Sequence, residues 1–163
     1  MSDIVTAGNG GFHMNRIIVL AAGLAALSTL PAAAANIEWR GAAILTAVTG
    51  CGTDYAVGNS IPMRFRPSGL ADNGSSSKFA LHQTFFAQTY IVSGRFPAAL
   101  TTVNGGALGA GYGAFAVAPK FKMTSVTPST LAATTPSVAL VGEIQNFGDL
   151  SGCKVTFRAS GAL

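Results

Sequence analysis

The side chains that could carry out chemistry are few in this chain of 163 residues. His82 is the only histidine after residue 35, which excludes a metal centre built from several histidines there. Any histidine-activated nucleophile would also depend on this one residue, and no Gly-x-Ser-x-Gly motif supplies a partner. We therefore predict that His82 faces solvent or a neighbouring strand, and that the protein holds neither a metal ion nor another cofactor.

The acids of residues 36–163 are dispersed along the sequence. A glycosidase needs two carboxyl groups on either side of one bond, and only the fold could bring such a pair together here. Asp54, Asp72 and Asp149 lie in turn-like segments, where a short carboxylate commonly accepts hydrogen bonds from backbone N–H groups. Glu143 lies in a predicted strand and has no such local role. The open alternative is a small secreted hydrolase of cell-wall or extracellular polysaccharide that pairs Glu143 with Asp54.

Basic residues show the one positional pattern that indicates binding. Residues 36–163 carry nine Lys and Arg against five Asp and Glu, a mild excess that favours anionic partners. Six of the cations are predicted to point outward from three strands, and they would line one surface if those strands shared a sheet. Such a surface could bind an anionic glycan or envelope component, and we do not expect it to bind nucleic acid. Alternatively, the six cations only keep the protein soluble and protect exposed strand edges from pairing. The six are Arg64, Arg66, Lys120, Lys122, Lys154 and Arg158.

Two short motifs contain glycine. Gly109-x-Gly111-x-Gly113 has a phosphate-loop spacing but lacks the Lys-Ser/Thr that would follow, so we interpret it as a flexible connection. The longer segment 104–113 is rich in glycine, and we expect it to form no regular structure. Asn73-Gly74-Ser75 matches an N-glycosylation acceptor, a pattern that often arises by chance.

The segment from Met14 to Ala35 is typical of a secretory signal peptide. Arg16 precedes the apolar run Ile17–Leu27, and a series of alanines follows. The run of about 11 residues is too short for a membrane-spanning helix, which needs roughly 20. We expect residues 1–35 to be an N-terminal extension and cleaved signal peptide, and residues 36–163 to form one exported domain, periplasmic or extracellular, without a transmembrane span.

Cys51 and Cys153 are the only cysteines. An exported chain meets an oxidising environment in which a lone pair of cysteines usually forms a bond. The absence of a Cys-x-x-Cys motif argues against a metal or redox site. We predict a Cys51–Cys153 disulfide.

Short apolar and β-branched runs alternate with turn residues along the rest of the chain, which indicates an all-β fold. In the run from Ile61 to Arg66, every second residue is apolar and would face one side of a strand. Two further strands, 79–86 and 89–96, are predicted to join at Ala87-Gln88, and Cys153 begins a last strand as an inward residue. The pattern predicts an antiparallel two-layer β-sandwich of about eight short strands.

These observations favour a non-enzymatic exported protein, in general terms similar to small exported bacterial β-proteins. Its expected role is a binding or structural module for an anionic glycan or surface polymer. A third possibility is a subunit that donates or accepts a strand in such a polymer. The oligomeric state does not follow from the sequence.

Overall fold

A computed structural model describes residues 36–70, 73–83, 86–108 and 112–163. The predicted signal peptide, Asp72 and two of the loop glycines, Gly109 and Gly111, lie outside the described residues. The described part contains ten strands and no α-helix, so no helix in it is long and apolar enough to cross a membrane. The strands are β1 (Trp39–Thr49), β2 (Ser60–Arg66), β3 (Ser76–Gln83), β4 (Phe86–Ser93), β5 (Thr101–Thr102), β6 (Asn104–Leu108), β7 (Tyr112–Ala114), β8 (Lys120–Thr127), β9 (Ser137–Gln145) and β10 (Lys154–Ala162).

All ten strands belong to one antiparallel sheet, in the order β5-β8-β9-β10-β1-β2-β3-β4-β6-β7. The all-β prediction is confirmed, but one continuous sheet replaces the expected two-layer sandwich of about eight strands. The reason lies in β1, whose 11 residues pair with β10 on one side and with β2 on the other. This strand joins the two halves that the apolar pattern alone suggested were separate layers.

The sheet curls like a half-barrel, and its inner side holds the core. In a flat sheet β3 and β8 would be about 24 Å apart, since neighbouring strands are spaced by about 4.8 Å. The ring centroids of Phe79 on β3 and Phe121 on β8 are instead 5.6 Å apart, and Phe157 on β10 stacks on Phe79 at 5.0 Å. The curl thus buries aromatic rings from both halves against each other, which explains why the alternation looked like that of a sandwich.

The predicted alternation within single strands is confirmed. Ile61, Met63 and Phe65 are buried on β2, and their neighbours point to the outer side. On β10, Val155, Phe157 and Ala159 are buried in the same way. The outward residues include Arg64 and Arg66 on β2 and Lys154 and Arg158 on β10.

The predicted turn between β3 and β4 is wrong. Gln83 pairs with Phe86, so the strands connect through residues 84–85, and Ala87 and Gln88 lie inside β4. Gln88 is fully buried, and its side-chain oxygen accepts a hydrogen bond from the backbone N–H of Gly148 at 3.1 Å. A polar residue with an interior partner can occupy the core, and that partner is 60 residues away in sequence.

The expectation that residues 104–113 form no regular structure is wrong for 104–108 and 112–113, while residues 109–111 lie outside the described part of the chain. The segment supplies β6, which pairs with β4, and most of β7, which pairs with β6. A Cβ atom on Gly105 would lie only 1.9 Å from the carbonyl oxygen of Thr89, so glycine here permits close approach of two strands.

The predicted disulfide is confirmed: Cys51 and Cys153 are bonded and both are buried. Cys51 follows β1 and Cys153 precedes β10, and these two strands are neighbours in the sheet. Their Cα atoms are 4.3 Å apart although the residues are separated by 102 positions. In the chain-entropy description, closing a loop of that length stabilises the fold by about 4 to 5 kcal/mol.

Candidate functional site

The three strands that carry the six predicted cations lie in one sheet, as the binding hypothesis required. Strand register separates the cations, however. Arg64 on β2 is opposite Arg40 on β1, which is opposite Ala162 at the end of β10. Lys154 begins β10, eight residues before Ala162 or about 26 Å along the strand. The outer side therefore carries separate groups of charge near opposite ends of the strands.

The first group, which we call the cationic cluster, lies on β1, β2 and β3. It contains Arg64 and Arg66, which were predicted, and Arg40 and Lys78, which were not. Arg40 is directly opposite Arg64, and Arg66 is directly opposite Lys78. Side chains in such positions have Cβ atoms about 5 Å apart, and like charges placed there are destabilising. The cluster thus contains two like-charged cross-strand pairs.

Glu38 is the carboxylate that pairs with Arg40 and Arg64 of this cluster. Its Oε1 atom accepts a hydrogen bond from Arg40 Nε at 2.8 Å and lies 3.8 Å from Arg64 Nη1. The guanidinium of Arg66 donates hydrogen bonds to the side-chain oxygens of Asn73 and Asn36. Arg40 and Arg64 remain 68% and 50% exposed, so both are accessible to a ligand.

The second group, the lysine–glutamate cluster, consists of Lys120, Lys122, Lys154 and Glu143 on β8, β9 and β10. Lys122 Nζ lies 3.0 Å from one carboxylate oxygen of Glu143, and Lys154 Nζ lies 3.0 Å from the other. Glu143 is only 8% exposed. The acid without an obvious local role is therefore a bridge between two flanking strands.

The lysines also determine the ionisation of Glu143. Burial by itself would raise the pKa of this carboxyl group, but hydrogen bonds from Lys122 and Lys154 and their positive charges outweigh it, so the pKa is lowered. A carboxylate that stays ionised and has both oxygens occupied is a poor general acid.

Arg158, the sixth predicted cation, belongs to neither cluster. It lies four residues beyond Lys154 on β10, about 13 Å along the strand. Its cross-strand neighbours are Ile44 on β1 and Val141 on β9, which are apolar.

His82 and Asp54 line one cleft of about 540 Å³, together with Ser60 of β2. No described hydrogen bond links His82 to either of them, and the Nε2 atom of His82 is buried without a partner among the described residues. Desolvation lowers the pKa of His82, the nearby charge of Arg64 lowers it further, and Glu38 opposes them. The cleft brings candidate residues together but does not hold them in the hydrogen-bonded chain that activates a nucleophile.

The turn interpretation of Asp149 agrees with its contacts, because its carboxylate accepts hydrogen bonds from the backbone N–H groups of Ala116 and Val117 at 3.1 and 2.9 Å.

Asn73 of the glycosylation motif is buried, and its amide nitrogen donates hydrogen bonds to the carbonyl oxygens of Ile37 and Pro67 at 2.8 Å. That nitrogen is unavailable for a glycan in the folded protein.

Arg40 and Lys78 were missed because cross-strand pairing is not visible in sequence spacing. A weak signal existed, since each lies beside a buried aromatic residue, Trp39 or Phe79, and must therefore point outward.

No protein-family model matches the chain, and comparison with curated proteins and with solved structures finds no significant match.

Proposed function

We propose that this protein is an exported, non-enzymatic binding or structural module of the cell envelope or extracellular space, and that its cationic cluster binds an anionic glycan or surface polymer. The Cys51–Cys153 disulfide supports export, because such bonds form and persist in oxidising compartments. The proposal for the ligand depends on the arrangement of charge.

The observation that carries the proposal is the like-charged cross-strand pair of Arg40 and Arg64, two side chains that stay largely exposed. Such a pair costs stability, and Glu38, at 2.8 Å from Arg40 but 3.8 Å from Arg64, compensates it only in part. Natural sequences retain locally unfavourable choices mainly where function requires them. An anion placed over the cluster would relieve the repulsion.

The shape of the cluster favours a chain of charged units over a small ligand. It extends across three neighbouring strands of an exposed surface, about 10 Å wide, whereas small molecules bind in concave pockets. Exposed guanidinium groups such as those of Arg40 and Arg64 can each bind a carboxylate or sulfate through two parallel hydrogen bonds.

The hydrolase alternative has less support. A hydrolase of this kind requires two acids that face one cleft. Glu143 is instead paired with lysines on β8 and β10, and Asp54 lines the cleft that contains His82, in which Glu143 is not among the lining residues. The described acids Glu38 and Asp149 are bound to other groups.

The proposal is tested by affinity for heparin and alginate, measured by calorimetry at low salt. We expect Arg40→Gln/Arg64→Gln to weaken binding about tenfold or more, because two guanidinium contacts are lost. The matched control is Lys120→Gln/Arg158→Gln, which removes the same net charge from exposed positions elsewhere on the outer side and should change affinity less than about twofold. Equal losses in both variants would show that only net charge matters and would contradict the proposal.

A further inference from the structure

Strand β8 lies near one margin of the sheet and is only partly covered. β9 pairs with it along its length, but β5 pairs only with Lys120 and Phe121. The N–H group of Met123 donates to the carbonyl oxygen of Pro97 at 2.8 Å. Beyond that contact, the described residues provide no backbone partner for the outer edge of Thr124–Thr127. The strand therefore exposes a short row of unpaired peptide groups.

A groove of about 510 Å³ runs beside this free edge. Its apolar lining includes Phe65, Phe96, Met123 and Leu131, and serine and threonine hydroxyl groups also line it. Phe65 and Met123 are part of the core, so the groove reaches the inner side of the sheet.

Arg95 gives the groove a charge preference. Its side chain is exposed, lines the groove, and makes no ion pair or side-chain hydrogen bond within the described part of the chain. Among the residues that the structure describes, no carboxylate lines the groove. An occupant with a negative group at this position would be electrostatically matched.

We propose that the free edge of β8 and this groove accept an extended peptide segment of another protein, which adds to the sheet as a further strand. Its backbone pairs with Thr124–Thr127, its alternate apolar side chains enter the groove, and a carboxylate faces Arg95. Unpaired peptide groups favour a peptide over a lipid or glycan, because only another backbone satisfies N–H and C=O groups in alternation.

The bulge between Met123 and Ser125 and the proline at position 128 limit the length that can pair. A single short segment fits this edge better than a complete second sheet. The groove contains core residues from the inner side of the sheet, whereas the side chains of the cationic cluster point to the outer side, so the two proposals are tested separately.

The test begins with a display library of random peptides of about ten residues, panned on the protein with the Leu131→Arg variant as counter-selection. We expect enriched peptides to alternate apolar and polar residues and to carry an acid near one end. The best peptide is then synthesised and its Kd measured by fluorescence anisotropy. Failure to enrich any peptide over the counter-selection would overturn the proposal.

Two modifications separate strand addition from simple apolar binding. Two versions of the peptide are made, one with its odd-numbered amides N-methylated and the other with its even-numbered amides N-methylated. Only one of these two sets of N–H groups faces β8 in an added strand, so one version should lose binding and the other should bind as the unmodified peptide does. Arg95→Glu should weaken binding about fivefold, as expected for an exposed ion pair, and a lysine in place of the peptide's acid should restore it. Arg95→Glu should leave heparin affinity within about twofold, which separates this site from the cationic cluster.

Three results would overturn the proposal at this stage. Methylation without effect would show that the backbone is not recognised. An Arg95→Glu loss that the lysine peptide does not restore would remove the charge contact. A wild-type dimer in light scattering that Leu131→Arg dissociates would identify a second copy of this chain as the occupant.

Discussion

The cationic cluster and the lysine–glutamate cluster use the same residue types on the same side of one sheet, yet their energetics differ. In the lysine–glutamate cluster, Glu143 lies between two lysines and contacts one with each oxygen. In the cationic cluster, positive residues are opposite each other, and Glu38 reaches only Arg40 and Arg64. The first arrangement pairs each of two lysines with a carboxylate oxygen, and the second leaves the side chains of Arg40 and Arg64 largely exposed. The difference arises from strand register.

The largest difference between the clusters should appear when Glu143 is changed to Gln. Neutralising this nearly buried carboxylate leaves Lys122 and Lys154 without their partner, and we expect a loss of about 1 to 2 kcal/mol in the free energy of unfolding. Urea denaturation at pH 7 measures it. Glu38→Gln is the control in the cationic cluster; its more exposed pair with Arg40 should cost less than about 0.5 kcal/mol. Equal costs would remove the distinction.

The same variant predicts a pH effect. Because the folded protein lowers the pKa of Glu143, the contribution of this group is fully present above its ordinary pKa of 4.5 and is lost as pH falls through the lower folded value. The wild-type protein should therefore lose more stability than Glu143→Gln on acidification below about pH 5. Parallel pH profiles for the two proteins would contradict the assignment.

A smaller effect of opposite sign is expected in the cationic cluster. Arg64→Gln removes repulsion with Arg40, and the free energy of unfolding should stay constant or rise by about 0.3 kcal/mol. Arg158→Gln is the matched control, because its cross-strand neighbours Ile44 and Val141 are uncharged and no repulsion is relieved. A clear destabilisation by Arg64→Gln would mean that its contact with Glu38 outweighs the like-charge pair.

The smallest effect concerns the pKa of His82, which is lowered in part by the charge of Arg64 in the cationic cluster. Its pKa is lowered by desolvation first and by Arg64 second, so Arg64→Gln should raise the pKa toward 6.5 without reaching it. At pH values between the folded pKa of His82 and 6.5, the unfolded chain binds more protons at this residue than the folded protein does. The free energy of unfolding therefore falls as the pH drops through that range, and it should fall less in Arg64→Gln than in the wild-type protein. An NMR titration of His82 measures the shift; an unchanged pKa would place Arg64 too far away to matter.

Local patterns in the sequence predicted local structure well. Alternation around Ile61, Met63 and Phe65 indicated both faces of β2, and the oxidising compartment inferred for the chain pointed to the disulfide. The β3–β4 turn failed because the interior partner of Gln88 is remote in sequence. The pairing of residues 104–108 failed because glycines that permit close strand contact look like those of a flexible loop.

The candidate site was predictable only in part. Outward orientation follows from a period of two, so Arg64 and Arg66 could be assigned to one surface. Which cations become neighbours depends on register between strands, and no spacing rule links Arg40 to Arg64 or Arg66 to Lys78. The buried bridge at Glu143 depends on β8 and β10 flanking β9, a relation set by the topology.

The disulfide has a consequence for the response of the folded protein to proteases. Cys51 and Cys153 enclose β2 through β9, so this part of the polypeptide forms a covalent ring. Exposed loops such as 128–136 lie within the ring and are the usual targets of proteases. One cut there opens the ring but leaves a single connected molecule, whose terminal strands β1 and β10 stay paired.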